Sequence, residues 1–322
     1  MGDTITALPA FTAIKKNFPG TRIDLLTNKT EPGKAFINEI LPKDFFSEYF
    51  YYEKFVDANI IKLLRENEYD LYIELPTYRT SLYFEVRSIL VAKRINAISG
   101  IGWHISSDRY FGDIQERLFK FDPNRIRLLE ILKMYNLNIR DTGWLLENNS
   151  AILPEYNVSE ILNKMPVKQG VIALVTGAGL ALKKWPLQNF DSVARHFSAD
   201  NYLILLIGSK EDYSECESIE KGNENIINLC GKLTVLENAV IFKKCKVVIS
   251  NDTGPMHLAY AVSAPVVALF NTNDYEGKWA PPEVRQNIII RSKNKAMNMI
   301  SVEEVINAAN QILVTGKANP DV

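Results

Sequence analysis

The sequence predicts a two-domain α/β protein whose second half is a doubly wound parallel sheet. Three observations carry this. Short β-rich runs alternate with longer amphipathic stretches along the chain, the pattern of strand–helix units. Four runs in the second half are continuously apolar, as strands covered by helices on both faces must be. The length, 322 residues, is about two domains' worth at ~100–200 residues each.

Taken in order, residues 7–17 read as a helix, and Pro19-Gly20 breaks it. Strands follow at 22–26 and 70–75, a helix at 81–92, a strand at 94–98 and a helix at 125–135, the last with apolar spacing at Ile126, Leu129 and Leu132. The stretch 136–169 is polar and weakly periodic, with Pro154 and Pro166. The domain boundary belongs near its end, dividing the chain into 1–167 and 168–322. Beyond it the strands are 171–175, 203–207, 246–250 and 265–270, and helices at 186–197, 236–243 and 255–262 lie between them. No strand precedes Gly2, although a Rossmann-like half normally opens with one. Either the first strand is absent or Met1 is an internal Met of a longer product.

Composition narrows the function. Lys plus Arg number 37 and Asp plus Glu 38, whereas a nucleic-acid binder is usually basic. The apolar run at 264–270 is far short of the ~18–20 residues of a membrane span, and the N-terminus lacks the pattern of a signal peptide. Three scattered cysteines without C-x-x-C, and three histidines, argue against a disulfide framework and a metal centre. A cytoplasmic protein without metal or nucleic acid is expected. Between Arg79 and Lys133, ten basic residues face six acidic ones in a chain of net charge −1. That excess either attracts an anionic partner or is ordinary solvated surface.

Five segments carry candidate chemistry. Ser250-Asn251-Asp252-Thr253-Gly254-Pro255-Met256-His257 joins a strand to a helix, with Pro in the first turn. Free N–H groups there and the Thr253 hydroxyl would make an anion site at the carboxyl end of a parallel strand. The plainer reading is that Asp252 or Thr253 caps the helix and His257 packs. Thr176-Gly177-Ala178-Gly179 leads into Lys183-Lys184-Trp185-Pro186. Leu182 stands where a dinucleotide fingerprint needs its third glycine, so hydride transfer is disfavoured, and no P-loop is present. Lys183 would still reach a diphosphate as a point charge, unless the pair is simple surface beside a packed Trp. Glu211, in Gly208-Ser209-Lys210-Glu211-Asp212, would accept from ribose hydroxyls or merely begin a helix. Gly2-Asp3 precedes a helix carrying Pro9, where Asp is ordinarily a cap. The basic stretch is the fifth.

Together these segments resemble glycosyltransferase family 9, the heptosyltransferases of lipopolysaccharide core synthesis. The likeness runs from Gly2-Asp3 and Leu8-Pro9, through Tyr69-Asp-Leu-Tyr-Ile-Glu-Leu with Arg79-Thr80-Ser81, to Lys183-x-Trp185-Pro186 and Leu229-Cys-Gly-Lys-Leu-Thr. Its core is Asn251-Asp-Thr-Gly-Pro-Met-His257 and the segment that ends at Leu269-Phe270. Two departures stand out: the missing strand before Gly-Asp, and Asn271 where the family often has Gly. Trp279-Ala-Pro281 fits the usual pattern.

The resemblance implies GT-B architecture, two Rossmann-like domains facing across a cleft, the N-terminal one for the acceptor and the C-terminal one for an ADP-sugar. It implies inverting, metal-independent transfer, without a cofactor, to an anionic lipid-linked glycan, and peripheral contact with the cytoplasmic face of the inner membrane. Asp3 matches the base. Thr176 and Lys183 would contact the phosphates, Asp252, Thr253, Gly254 and His257 form the donor loop, and Glu211 takes the ribose. A non-catalytic nucleotide-sugar binder and a nucleotide-sugar epimerase are the competing expectations.

Overall fold

A computed structural model describes residues 2–29, 37–41, 44–53, 56–76, 82–103, 124–139, 169–271, 280 and 286–317. Arg79-Thr80-Ser81, Arg109, Arg117, Lys120, most of the 136–169 stretch, Trp279 and Pro281 lie outside these residues. The chain divides into two compact units, Thr6–Leu145, and Met1–Ile5 with Leu146–Val322.

The first element is helix α1 (Gly2–Asn17). It starts five residues before the expected helix because burial outweighs the β-branched Thr4-Ile5-Thr6: Ile5, Leu8 and Ala13 are fully buried. The division between units falls at Ile5, whose carbonyl loses its usual helical donor because Pro9 has no N–H. Next come β1 (Leu25–Asn28), α2 (Ile37–Ile40), β2 (Tyr49–Tyr52) and α3 (Ala58–Glu66). β3 (Leu71–Ile73), α4 (Leu82–Arg94), β4 (Ser99–Ile101) and α5 (Asn124–Met134) follow. β1 pairs in parallel with β2 from Leu25 opposite Tyr49, and β3 with β4 from Leu71 opposite Ser99.

The strand expected at 94–98 is displaced to Ser99–Ile101. α4 runs on to Arg94, and Asn96 takes a left-handed conformation (φ 60°). Ala97 N–H donates to the Ala92 carbonyl and Asn96 N–H to that of Lys93. This Schellman closure uses up the residues the strand was expected to occupy. Asn136 closes α5 in the same way.

The second unit continues with β5 (Val171–Val175), α6 (Leu187–Ala199), β6 (Leu203–Ile207), α7 (Tyr213–Glu220) and β7 (Ile226–Asn228). Then come α8 (Val235–Lys244), β8 (Val247–Asn251), α9 (Gly254–Ala261), β9 (Val266–Phe270), β10 (Asn287–Arg291) and α10 (Val302–Lys317). β5 to β10 form one parallel sheet in the order β10-β9-β8-β5-β6-β7. β5, β6, β8 and β9 are buried throughout. Ile172, Leu174, Ile204 and Leu206 pack with Phe190, Val193 and Phe197 of α6 and with Val305, Ala309 and Ile312 of α10. β7, β10, α7 and α10 were not anticipated from sequence. β7 has only three residues, and β10 is a half-buried strand at the sheet edge.

Candidate active site

The strand order fixes where a ligand can sit. The chain leaves β5 outward through β6 and β7, then returns to β8 on the other flank of β5. The carboxyl ends of β5 and β8 therefore border the topological switch point, where open α/β sheets bind their ligands. Thr176-Gly177 follows β5, and Asp252-Thr253 follows β8.

Asn251, the last residue of β8, ties these ends together. It is fully buried. Its Nδ2 donates to the Thr176 carbonyl at 2.9 Å, and its Oδ1 accepts from Trp185 N–H at 3.0 Å. Trp185 is held again at its indole, whose Nε1 donates to the Ile300 carbonyl at 2.9 Å. Its ring meets Phe190 edge-on at 5.0 Å. The short 3-10 turn Ala181–Lys183 just before it is thereby set beside the β8 end. Asn271 Nδ2, at the end of β9, adds a bond to the Leu182 carbonyl at 3.3 Å.

This scaffold brings Lys183 onto Asp252, and the ammonium and carboxylate form a direct ion pair across the switch point. Beside it, Thr253 is the N-cap residue of α9, with extended backbone and no side-chain cap bond. Asp252 is engaged with Lys183 and Thr253 leaves the helix end uncapped, so neither follows the plain capping reading. The Gly254 N–H has no partner among the described residues, and Pro255 in the first turn has no N–H to satisfy. The helix start thus offers a donor and a partial positive charge next to a lysine.

Other candidates sit differently. His257 is buried, with Nδ1 2.8 Å from the Tyr260 hydroxyl and the two rings edge to face. Burial, with the positive charge of Lys183 adding to it, lowers its pKa to about 3, so it is neutral at physiological pH. Thr176 is also buried, its hydroxyl 3.1 Å from Cys216 Sγ. Glu211 is exposed on the turn Lys210–Asp212 after β6, its pKa lowered by a hydrogen bond from Ser209. Asp3 lies in the first turn of α1 rather than ahead of it, and its side chain lies outside the described residues.

Reading the sequence missed Asp212. This carboxylate accepts from Ser209 N–H at 2.9 Å and the Ser209 hydroxyl at 2.7 Å, and pairs with Lys184 at 3.0 Å. Burial pushes its pKa up, but the Ser209 and Lys184 bonds outweigh that and hold it below the usual carboxylate range. Gly177 is the price of this contact, since a Cβ there would lie 2.4 Å from Asp212 Oδ2. The segment Leu229-Cys-Gly-Lys-Leu-Thr is likewise structural. Gly231 (φ 68°) would put a Cβ 2.7 Å from Lys210 Cα, and Thr234 caps α8 in a reciprocal box with Glu237.

The model of glycosyltransferase family 9 (heptosyltransferase) matches residues 58–307 of this chain. The chain belongs to glycosyltransferase family 9. Among its relatives is lipooligosaccharide heptosyltransferase 2 of Campylobacter jejuni (serotype O:2), 24% identical over 293 residues, 85% of this chain and 79% of that enzyme. The enzyme of the same name from Haemophilus influenzae is 32% identical over 114 residues, 34% of this chain. That match spans 32% of the Haemophilus enzyme, about a third of its length. In fold, Escherichia coli ADP-heptose LPS heptosyltransferase II superposes with a TM-score of 0.69 at 20% identity, covering 98% of this chain and 96% of that one. This family 9 chain accordingly shares the α/β fold of that heptosyltransferase, with a six-stranded parallel sheet in its second unit, as the resemblance implied.

Proposed function

We propose that this chain transfers a heptose from ADP-heptose to the core of lipopolysaccharide or a related surface glycan, with inversion and without a metal ion. One observation carries the reading: the Lys183–Asp252 pair spans the switch point beside the uncapped start of α9. The residues of 168–322 hold the donor and those of 1–167 the acceptor. The diphosphate draws Lys183 from Asp252 and takes the Gly254 N–H and the Thr253 hydroxyl. As the bond from the anomeric carbon to the diphosphate oxygen breaks, charge grows on the leaving ADP, and these fixed donors stabilise it. The acceptor oxygen attacks from the opposite face and gives its proton to Asp3. Glu211 receives the ribose hydroxyls. Thr176 and neutral His257 support the loop from beneath. Among the described residues no helix is long and apolar enough to cross a membrane; a lipid-linked acceptor is met by peripheral contact at the cytoplasmic face.

Transfer from ADP-heptose to purified core acceptors tests this. Product with an inverted anomeric centre, formed in the presence of a chelator, is expected, and Asp3→Ala should abolish it while ADP still binds. Parental rates in Asp3→Ala would remove the base assignment. Selective stabilisation by UDP instead of ADP, or turnover of the donor with no acceptor present, would overturn the donor or the reaction.

A further inference from the structure

Helix α4 presents the wrong face to solvent for an ordinary surface helix. Leu82 is 50% exposed, Tyr83 61%, Val86 46% and Leu90 53%. At 3.6 residues per turn these four fall within an arc of about 100°. The opposite face is packed at its C-terminal end, where Val91 joins Ile61 and Leu64 of α3 and Ile95 in one cluster and Ser88 Oγ accepts from Trp103 Nε1 at 2.6 Å; Phe84, on that face nearer the helix start, is 46% exposed. The helix therefore cannot roll its apolar stripe inward.

The charges that α4 itself presents outside its buried face have one sign. Lys93 and Arg94 continue the stripe toward the helix C-terminus and are exposed. Arg65 of α3 joins them there, donating from Nε and Nη2 to the Arg94 carbonyl at 3.0 and 2.7 Å. Arg87, beyond the stripe, lies over the rings of Phe84 and Tyr52 at 4.8 and 5.7 Å. Glu85, the only carboxylate of α4, is buried. Aliphatic and aromatic side chains with Lys93, Arg94 and Arg65 gathered at one end match a surface with an apolar interior and anionic headgroups. We propose that α4 docks this protein on an anionic lipid bilayer, laying Leu82, Tyr83, Val86 and Leu90 into the interface. The inference rests on the reading that the acceptor is lipid-linked, and names the surface that meets the lipid.

Co-sedimentation of the full chain with phosphatidylethanolamine–phosphatidylglycerol vesicles, against phosphatidylcholine alone, tests it. Binding to the anionic vesicles is expected, weakening with salt. Val86→Glu/Leu90→Glu should lower it by ~10-fold or more, and Lys93→Glu/Arg94→Glu should lower it and flatten its salt dependence. Both variants should keep the stabilisation by ADP, a check that they fold, and transfer to a lipid-free acceptor. Unchanged binding in both variants, or equal binding to phosphatidylcholine, overturns the proposal. So does a parental dimer that Val86→Glu/Leu90→Glu dissociates without any vesicle binding, which would assign the face to a second copy. Failure of the parent to use a lipid-free acceptor strikes the transfer reading instead and leaves the vesicle result standing.

Discussion

Replacing Asn251 tests whether the proposed donor site is held by one buried amide. Asn251→Ala removes the acceptor of Trp185 N–H and the donor to the Thr176 carbonyl, bonds of 3.0 and 2.9 Å at a fully buried position. Each buried group left unpaired costs about 1–3 kcal/mol, so the pair amounts to about 2–6 kcal/mol. At about 2–4 °C per kcal/mol for a domain of 150–250 residues, the Tm should fall by about 5–20 °C in thermal unfolding. The same loss frees the Lys183 turn from the β8 end, so the stabilisation by ADP should shrink even where the protein remains folded. Asn251→Asp separates the two bonds. The carboxylate still accepts from Trp185 but faces the Thr176 carbonyl with a second acceptor, and only its protonated form donates there. Its deficit should therefore narrow as the pH is lowered from 7 toward 5, measured against the parent at each pH. A Tm within 1 °C of the parent for Asn251→Ala, together with an unaltered ADP response, would refute the argument that this amide holds the loops in place.

Three further outcomes follow from the same geometry. Lys183→Ala should weaken ADP binding by ~10–100-fold, the loss of one charge-assisted contact of about 1.5–3 kcal/mol, and isothermal titration showing undiminished affinity would place the diphosphate elsewhere. Gly177→Ala forces a Cβ to 2.4 Å from Asp212 Oδ2 and should cost about 1–3 kcal/mol as an overpacked contact; Asp212→Ala in the same chain should recover part of it, and a neutral Gly177→Ala in denaturant unfolding would count against the contact. His257 titrates at about 3 when folded and at about 6.5 when unfolded. Its unfolded form binds a proton that the folded form does not, so its contribution is complete above pH 6.5 and is lost as the pH falls toward 3, at up to ~1.4 kcal/mol per unit. His257→Gln should show a flatter fall of stability between pH 6 and 4, and identical slopes would mean that the imidazole is already solvated.

The second unit was legible because its strands announce themselves locally. Val171–Val175 and Leu203–Ile207 are apolar at every position, and the motif after β8 lies where the topology gathers loops. The first unit was less so. β4 begins Ser99-Gly100, both exposed, so it lacks the apolar alternation or continuity that marks a strand; β2, Tyr49–Tyr52, is a run of aromatic strand formers only four residues long, with polar Ser47-Glu48 before it and Glu53-Lys54 after it. The site divides in the same way. Lys183, Asp252 and Thr253 could be picked out because each stands beside a strand end or helix start in its own segment. Asn251 and Asp212 could not, because what they do depends on partners 66 and 28 residues away in sequence, and no local pattern distinguishes a buried amide that joins two loops from one that ends a strand. Asn271 makes the point most sharply. It occupies a place where the family often has glycine, and by sequence it counts as a departure. In the fold its amide reaches back to the Leu182 carbonyl, 89 residues earlier, one residue before the lysine that pairs with Asp252. The substitution that weakened the resemblance thus adds a tether to the turn on which the proposed chemistry depends.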